Sequence, residues 1–130
     1  MIGHRFAMAV LLLAAVSYTT KGRDYNIVDY GAKADTTQLS TTALQKAIDD
    51  CSAAGGGRVI VPARNYKTGS IRLKSGVHLY IEHGATLYGS TDLKDYTPMK
   101  SDYVSLRTQT TTIQLIYADG EKNVVIDGYG

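Results

Sequence analysis

Tyr25-Asn26-Ile27-Val28-Asp29-Tyr30-Gly31-Ala32-Lys33, then Thr42-Ala43-Leu44-Gln45-Lys46-Ala47-Ile48, then Gly55-Gly56-Gly57-Arg58-Val59-Ile60-Val61-Pro62 is the stretch that decides the fold. Asn26 to Asp29 reads as a short strand with Ile27 and Val28 at its apolar centre, ended by Gly31. The polar run Lys33 to Ser40 reads as a loop. A helix is expected from Thr41 or Thr42, and Thr42 with Gln45 has the capping-box spacing. Leu44, Ala47, Ile48 and Cys51 recur at i, i+3, i+4 and i+7, so they share one helical face, with Asp49 and Asp50 off it. Gly55 suits a left-handed C-cap. The three glycines then turn the chain into Val59-Ile60-Val61, which Pro62 stops.

Beyond Pro62 the pattern is of short strands punctuated by turns. Tyr66 to Leu73 alternates through Ile71 and Leu73. Val77, Leu79 and Ile81 alternate with His78, Tyr80 and Glu82, which predicts one buried face and one wet face. Ala85 and Leu87 continue after Gly84; Ile113, Leu115 and Tyr117 form another alternating run, as do Val124 and Ile126. One helix at the front and none between the later strands argues against βαβ units. The layout from Ser75 to Ile81 returns loosely from Glu121 to Ile126, as stacked coils would repeat, although a β-sandwich can share such turn spacing. Ser90 to Thr112 breaks the rhythm with Pro98 and three threonines at its end. It reads as a long excursion of the kind on which binding surfaces are built.

With 130 residues the chain holds at most one domain. Its net charge of +2 and lack of a Lys/Arg cluster give no surface for nucleic acid. Tyr occurs 10 times while Trp is absent, which suits half-exposed pleated surfaces. His4 and Arg5 precede an apolar block from Phe6 to Val16, too short to span a bilayer but of signal-peptide length. Residues 1–24 are therefore expected to be an export signal and short linker, giving a secreted or periplasmic protein. Cys51 is the single cysteine, so no internal disulfide can form. Its helical, apolar setting predicts a buried, inert thiol.

Taken in order, Asp29-Tyr30-Gly31-Ala32-Lys33, Thr42 to Ile48, Gly55-Gly56-Gly57 into Val59-Ile60-Val61-Pro62, Arg72-Leu73-Lys74-Ser75, Gly84-Ala85-Thr86-Leu87 and Asn123 to Gly130 resemble the N-terminal part of polygalacturonase-like glycosidases, glycoside hydrolase family 28. The resemblance implies an all-β fold, a right-handed parallel β-helix with one N-terminal capping helix. Residues 25–130 would be the N-terminal portion of that domain, cut short at the C-terminal side. It also implies a parent glycosidase that hydrolyses α-galacturonosidic bonds of pectic polysaccharide by inversion, without a cofactor and as a monomer when full length. A calcium-dependent lyase and a non-catalytic carbohydrate-binding β-helix of tailspike or adhesin type share the same fold and stay open. Two positions depart from the family pattern. Ala34-Asp35-Thr36 and Pro62-Ala63-Arg64 each replace a glycine, so both turns are expected to use conformations open to ordinary residues.

The family hydrolyses with aspartates of Asn-Thr-Asp and Asp-Asp motifs, a Gly-His-Gly histidine and an Arg-Ile-Lys clamp, placing an acid and a base on either side of the bond. No residue of this chain is carried over as catalytic, and activity is expected only from coils that follow. Asp49-Asp50 lies on a helix, where neighbours point about 100° apart. Arg72-Leu73-Lys74 imitates the clamp but precedes any candidate aspartate. His83-Gly84 lacks the leading glycine. His78 and His83 have no cysteine nearby, so zinc spacing is unmet. Gly55-Gly56-Gly57 precedes a strand, whereas phosphate-binding loops precede a helix.

Overall fold

The computed structural model describes residues 23–99 and 113–130. Eight short strands and one long helix follow in the order β1 (Arg23–Asn26), α1 (Thr41–Ala53), β2 (Gly57–Val61), β3 (Arg64–Thr68), β4 (Ile71–Arg72), β5 (Val77–Ile81), β6 (Ala85–Gly89), β7 (Ile116–Tyr117) and β8 (Val125–Gly128). Short 3-10 turns occupy Ile27–Tyr30 and Leu93–Asp95. All strand pairs are parallel. They form one sheet in the order β1-β2-β5-β8, a second from β3 and β6, and a third from β4 and β7. Each circuit of the chain visits the three sheets in turn, so the architecture is the expected parallel β-helix.

The stacking is in register. Tyr25, Val59, Leu79 and Ile126 lie over one another on the inward face of the four-stranded sheet. Val59, Leu79, Val61 and Val77 are fully buried, and burial of each such side chain contributes about 1.5–3 kcal/mol. Ile126 continues the ladder on β8, yet it is 54% exposed and Val125 is 45% exposed.

The helix takes the place of a strand. In the coil that begins with β1, Leu39 bridges Lys67 of β3, and α1 then occupies the position beside β4. Leu44, Ala47, Ile48 and Cys51 are buried together with the coil core, as the periodicity predicts. Burial pushes the Cys51 thiol pKa up, in line with an inert group. Gly56 N–H donates to Cys51 O at 2.9 Å and Gly55 N–H to Ser52 O at 3.1 Å, a Schellman ending with Gly55 at φ +100°. The next glycines are required by close approach. A Cβ on Gly56 would meet Gly76 O at 2.8 Å, and one on Gly57 would collide with Arg23 O.

Four local expectations change. The first strand is Arg23–Asn26, not Asn26 to Asp29. Asn26 Oδ1 accepts from Val28 N–H at 2.9 Å and starts a 3-10 turn over Ile27–Tyr30 instead. The capping box does not form. Helix α1 starts at Thr41 after Ser40, whose hydroxyl is engaged with Lys33, while Gln45 is used elsewhere. Tyr66 to Leu73 is two strands, broken at Gly69 and Ser70. In the third sheet the strand is Ile116–Tyr117, and Ile113 makes an isolated antiparallel bridge to Pro98. Of the segment 1–24, residues 1–22 lie outside the described residues, and Arg23 and Asp24 already belong to β1. Of the excursion 90–112, residues 100–112 lie outside them too.

Candidate functional site

Alternation on the four-stranded sheet sends Asp24, Arg58, His78 and Val125 to its outer face in one row, and Asn26, Ile60, Tyr80 and Asp127 in the next. Arg58 grips Asp24 with two bonds, Nε to Oδ1 at 3.0 Å and Nη2 to Oδ2 at 2.9 Å. This bidentate pair lowers the Asp24 pKa and raises that of Arg58. The guanidinium also sits 5.1 Å from the Tyr80 ring centre, a cation–π distance. Tyr80 meets His78 edge to face at 5.9 Å. His78 Nε2 is buried without a hydrogen-bond partner and lies 3.7 Å from Asp127 Oδ2, beyond hydrogen-bond range. A flat cation, two aromatic rings and two carboxylates thus line one outer face, with the cation already paired to Asp24. The rings of such a set can stack against sugar rings. Its two carboxylates, Asp24 and Asp127, lie on the edge strands β1 and β8 with two strands between them, so a paired acid and base is not assembled there.

Two open clefts flank the coil. One, of about 420 Å³, runs beside α1 and is lined by Thr41, Gln45, Lys46, Asp49 and Tyr117 among others. Its walls are stitched to the helix. The Gln45 amide donates to Arg72 O at 3.0 Å and accepts from Arg72 N–H at 2.9 Å, as a neighbouring strand would. Thr41 Oγ1 accepts from Gly69 N–H at 2.8 Å. The second cleft, of about 440 Å³, lies at the bend from β2 to β3 and is walled by Asn26, Asp29, Lys33 and Arg64 among others. Arg64 has φ +113°. That corrects the expectation that the Pro62-Ala63-Arg64 turn is open to ordinary residues, since an L residue is disfavoured there. Around Ala34-Asp35-Thr36, by contrast, no residue has positive φ, and Asp35 closes the turn by accepting from Thr37 N–H at 2.8 Å.

The residues that imitate an active site are separated as expected. Asp49 accepts from Lys74 at 3.0 Å and from Gln45 at 2.9 Å, whereas Asp50 accepts the Tyr30 hydroxyl at 2.8 Å. The latter bond pushes the Tyr30 pKa up to about 12. Arg72 pairs with Glu121 at 3.4 Å, so Arg72 and Lys74 each serve a surface ion pair. His83 is exposed. Among the described residues no three His, Cys, Asp or Glu side chains gather to hold a metal, and no helix is long and apolar enough to cross a membrane. Sequence alternation marks His78 and Tyr80 as outward, but the partners Arg58 and Asp127 depend on register between coils, for which the chain gives no local signal.

The fold has counterparts among solved structures. The family 28 exopolygalacturonase of Yersinia enterocolitica superimposes with a TM-score of 0.70 at 35% identity, covering 83% of this chain and 20% of that one. An exopolygalacturonase from Thermotoga maritima gives 0.67 at 30% identity, covering 82% and 23%. In sequence, the exo-poly-α-D-galacturonosidase of Dickeya chrysanthemi is 52% identical over 71 residues, 55% of this chain and 12% of that protein. This chain is a relative of the polygalacturonases. A mannuronan C5-epimerase of Azotobacter vinelandii is also similar, 42% identical over 64 residues, 43% of this chain and 5% of that protein. The chain thus spans a fifth or less of these curated relatives. No protein-family model matches it. The polygalacturonase-like part seen here is a right-handed parallel β-helix with α1 set into its opening coil.

Proposed function

We propose that the chain is part of an exported glycosidase of polygalacturonase type, which hydrolyses α-galacturonosidic bonds in pectic polysaccharide. The observation that carries this reading is the 52% identity with an exo-poly-α-D-galacturonosidase, on a fold shared with family 28 exopolygalacturonases. The residues before β1 serve as export signal and linker, and the chain from Arg23 onward builds the N-terminal portion of a longer β-helix domain. The exposed Ile126 and Val125 on β8 are the surface on which a following coil stacks in the same register. Further coils supply the carboxylate pair, and this portion supplies scaffold. The whole protein acts as a secreted monomer and needs no cofactor. A second reading is favoured by the epimerase similarity: a uronate polymer as substrate, but inversion at C5 in place of hydrolysis.

Product analysis separates these. Polygalacturonate treated with the full-length protein should release saturated galacturonate with new reducing ends. Unsaturated ends would mark a lyase. Altered C5 stereochemistry of mannuronan without chain scission would mark an epimerase, and binding without any change would mark a non-catalytic β-helix. Each of the last three outcomes would sink the hydrolase reading.

A further inference from the structure

The cleft at the β2–β3 bend brings three features together. Arg64 is held at φ +113°, a region that glycine enters freely and an arginine enters only at a cost in strain. Its side chain is exposed, and among the described residues neither Arg64 nor Lys33 has an ion-pair partner. Both residues wall the same cleft, whose volume of about 440 Å³ falls in the range of small-molecule sites. Asn26 and Asp29 wall it as well. The Asn26 carbonyl oxygen is taken by Val28 N–H, which leaves its NH₂ to donate. Asp29 offers an acceptor for hydroxyl groups.

Pairing of β3 with β6 fixes the backbone here but does not call for an arginine, and an arginine kept at this position, exposed and without an ion pair among the described residues, points to a task for the side chain itself. We propose that this corner is a carbohydrate subsite for a uronate residue, with the carboxylate taken by Arg64 and Lys33 and the ring hydroxyls by Asn26 and Asp29. Arginine suits a carboxylate because its planar fork can donate two parallel bonds. The site lies at the bend that leaves the four-stranded sheet and shares only Asn26 with the outer rows that carry Arg58, Tyr80 and His78. The choice of uronate over another carboxylate rests on the proposed function; the choice of site rests on the geometry alone.

The test is a titration of the full chain with trigalacturonate, followed by NMR or calorimetry, with neutral galactotriose as comparison. Two variants remove the charges: Arg64→Gln, which keeps a side chain in the strained conformation, and Lys33→Gln. Lys94→Gln, on the 3-10 turn Leu93–Asp95, serves as control, and circular dichroism checks that each variant is folded. Each charge-removing variant should weaken trigalacturonate binding about tenfold or more, the scale of one lost charge-assisted contact. Lys94→Gln should bind as the parent does, and galactotriose should bind far more weakly than trigalacturonate. Equal affinity in parent, Arg64→Gln and Lys33→Gln would overturn the site while leaving a pectic substrate intact. No binding of trigalacturonate by the folded parent chain would also overturn it, whereas hydrolysis by the full-length protein is judged separately by its products.

Discussion

Replacing Arg64 by glycine should make the protein more stable, against the usual direction of substitutions. Arg64 opens β3 at φ +113°, and its N–H donates to Gly84 O at 3.0 Å, a bond that glycine keeps. Holding a non-glycine residue in such a region costs about 1–3 kcal/mol. Glycine gives back part of this through the greater freedom of the unfolded chain, about 0.4–1 kcal/mol. The Arg64 side chain is exposed and makes no ion pair among the described residues, so little is lost by removing it. The net gain is about 1 kcal/mol, which for a chain of 130 residues raises the melting temperature by about 4 °C. Thermal melts followed by circular dichroism would measure it, with Arg64→Ala as the decisive companion. Alanine removes the same side chain but keeps the strain, so it should melt close to the parent. If Arg64→Gly melted at or below Arg64→Ala, the strain assigned to this bend would be absent. The same substitution should weaken uronate binding, so stability and recognition are set against each other at one residue.

Ile48→Asp places a carboxylate in the fully buried contact between α1 and the coil and should destabilise by about 3 kcal/mol or more, seen as lost soluble yield or a collapsed melt. Gln45→Leu keeps the bulk but leaves the Arg72 N–H and C=O without their partner; a loss of about 1–2 kcal/mol in denaturant unfolding is expected, and no loss would deny the helix its strand-like role. Glu121 accepts from the Ser75 N–H and hydroxyl at 2.9 and 2.6 Å, which holds its pKa below the usual value. A lowered folded pKa means stability that is present above the unfolded value and lost as pH falls through the folded one. Melting temperature should therefore drop as the pH falls below about 4.3, and Glu121→Gln should flatten that part of the profile.

Long periodic elements were legible from residue order alone. The face Leu44, Ala47, Ile48 and Cys51 needs only helical spacing, and Val77, Leu79 and Ile81 need only alternation. The loose repeat was legible because turns recur at matching places on successive coils. Gly76 at φ +81° and Asn123 at φ +58° each lie just before the strand that follows, and β5 and β8 then pair in register. Two-residue strands such as Ile71–Arg72 and Ile116–Tyr117 leave no period to detect, so their limits came only from pairing. Gln45 looked like a capping residue because spacing is local, while its real partner, Arg72, is fixed by the fold of the first coil. Arg64 misled for a related reason. The chain carries no mark that an ordinary residue is forced to positive φ, since the register of β3 against β6 imposes it from outside. The outer row of Asp24, Arg58, Tyr80, His78 and Asp127 was half visible, as wet positions on strands, but its contacts join four different strands.

The proposed function divides the protein into a scaffold portion, residues 23–130, and a catalytic portion carried by further coils. Reducing-end release from polygalacturonate, measured side by side for this chain and for the full-length protein, tests that division directly. New reducing ends are expected with the full-length protein and none with this chain, even when the chain is folded and binds the polymer. Turnover by the chain alone, or its absence from the full-length protein, would contradict that division.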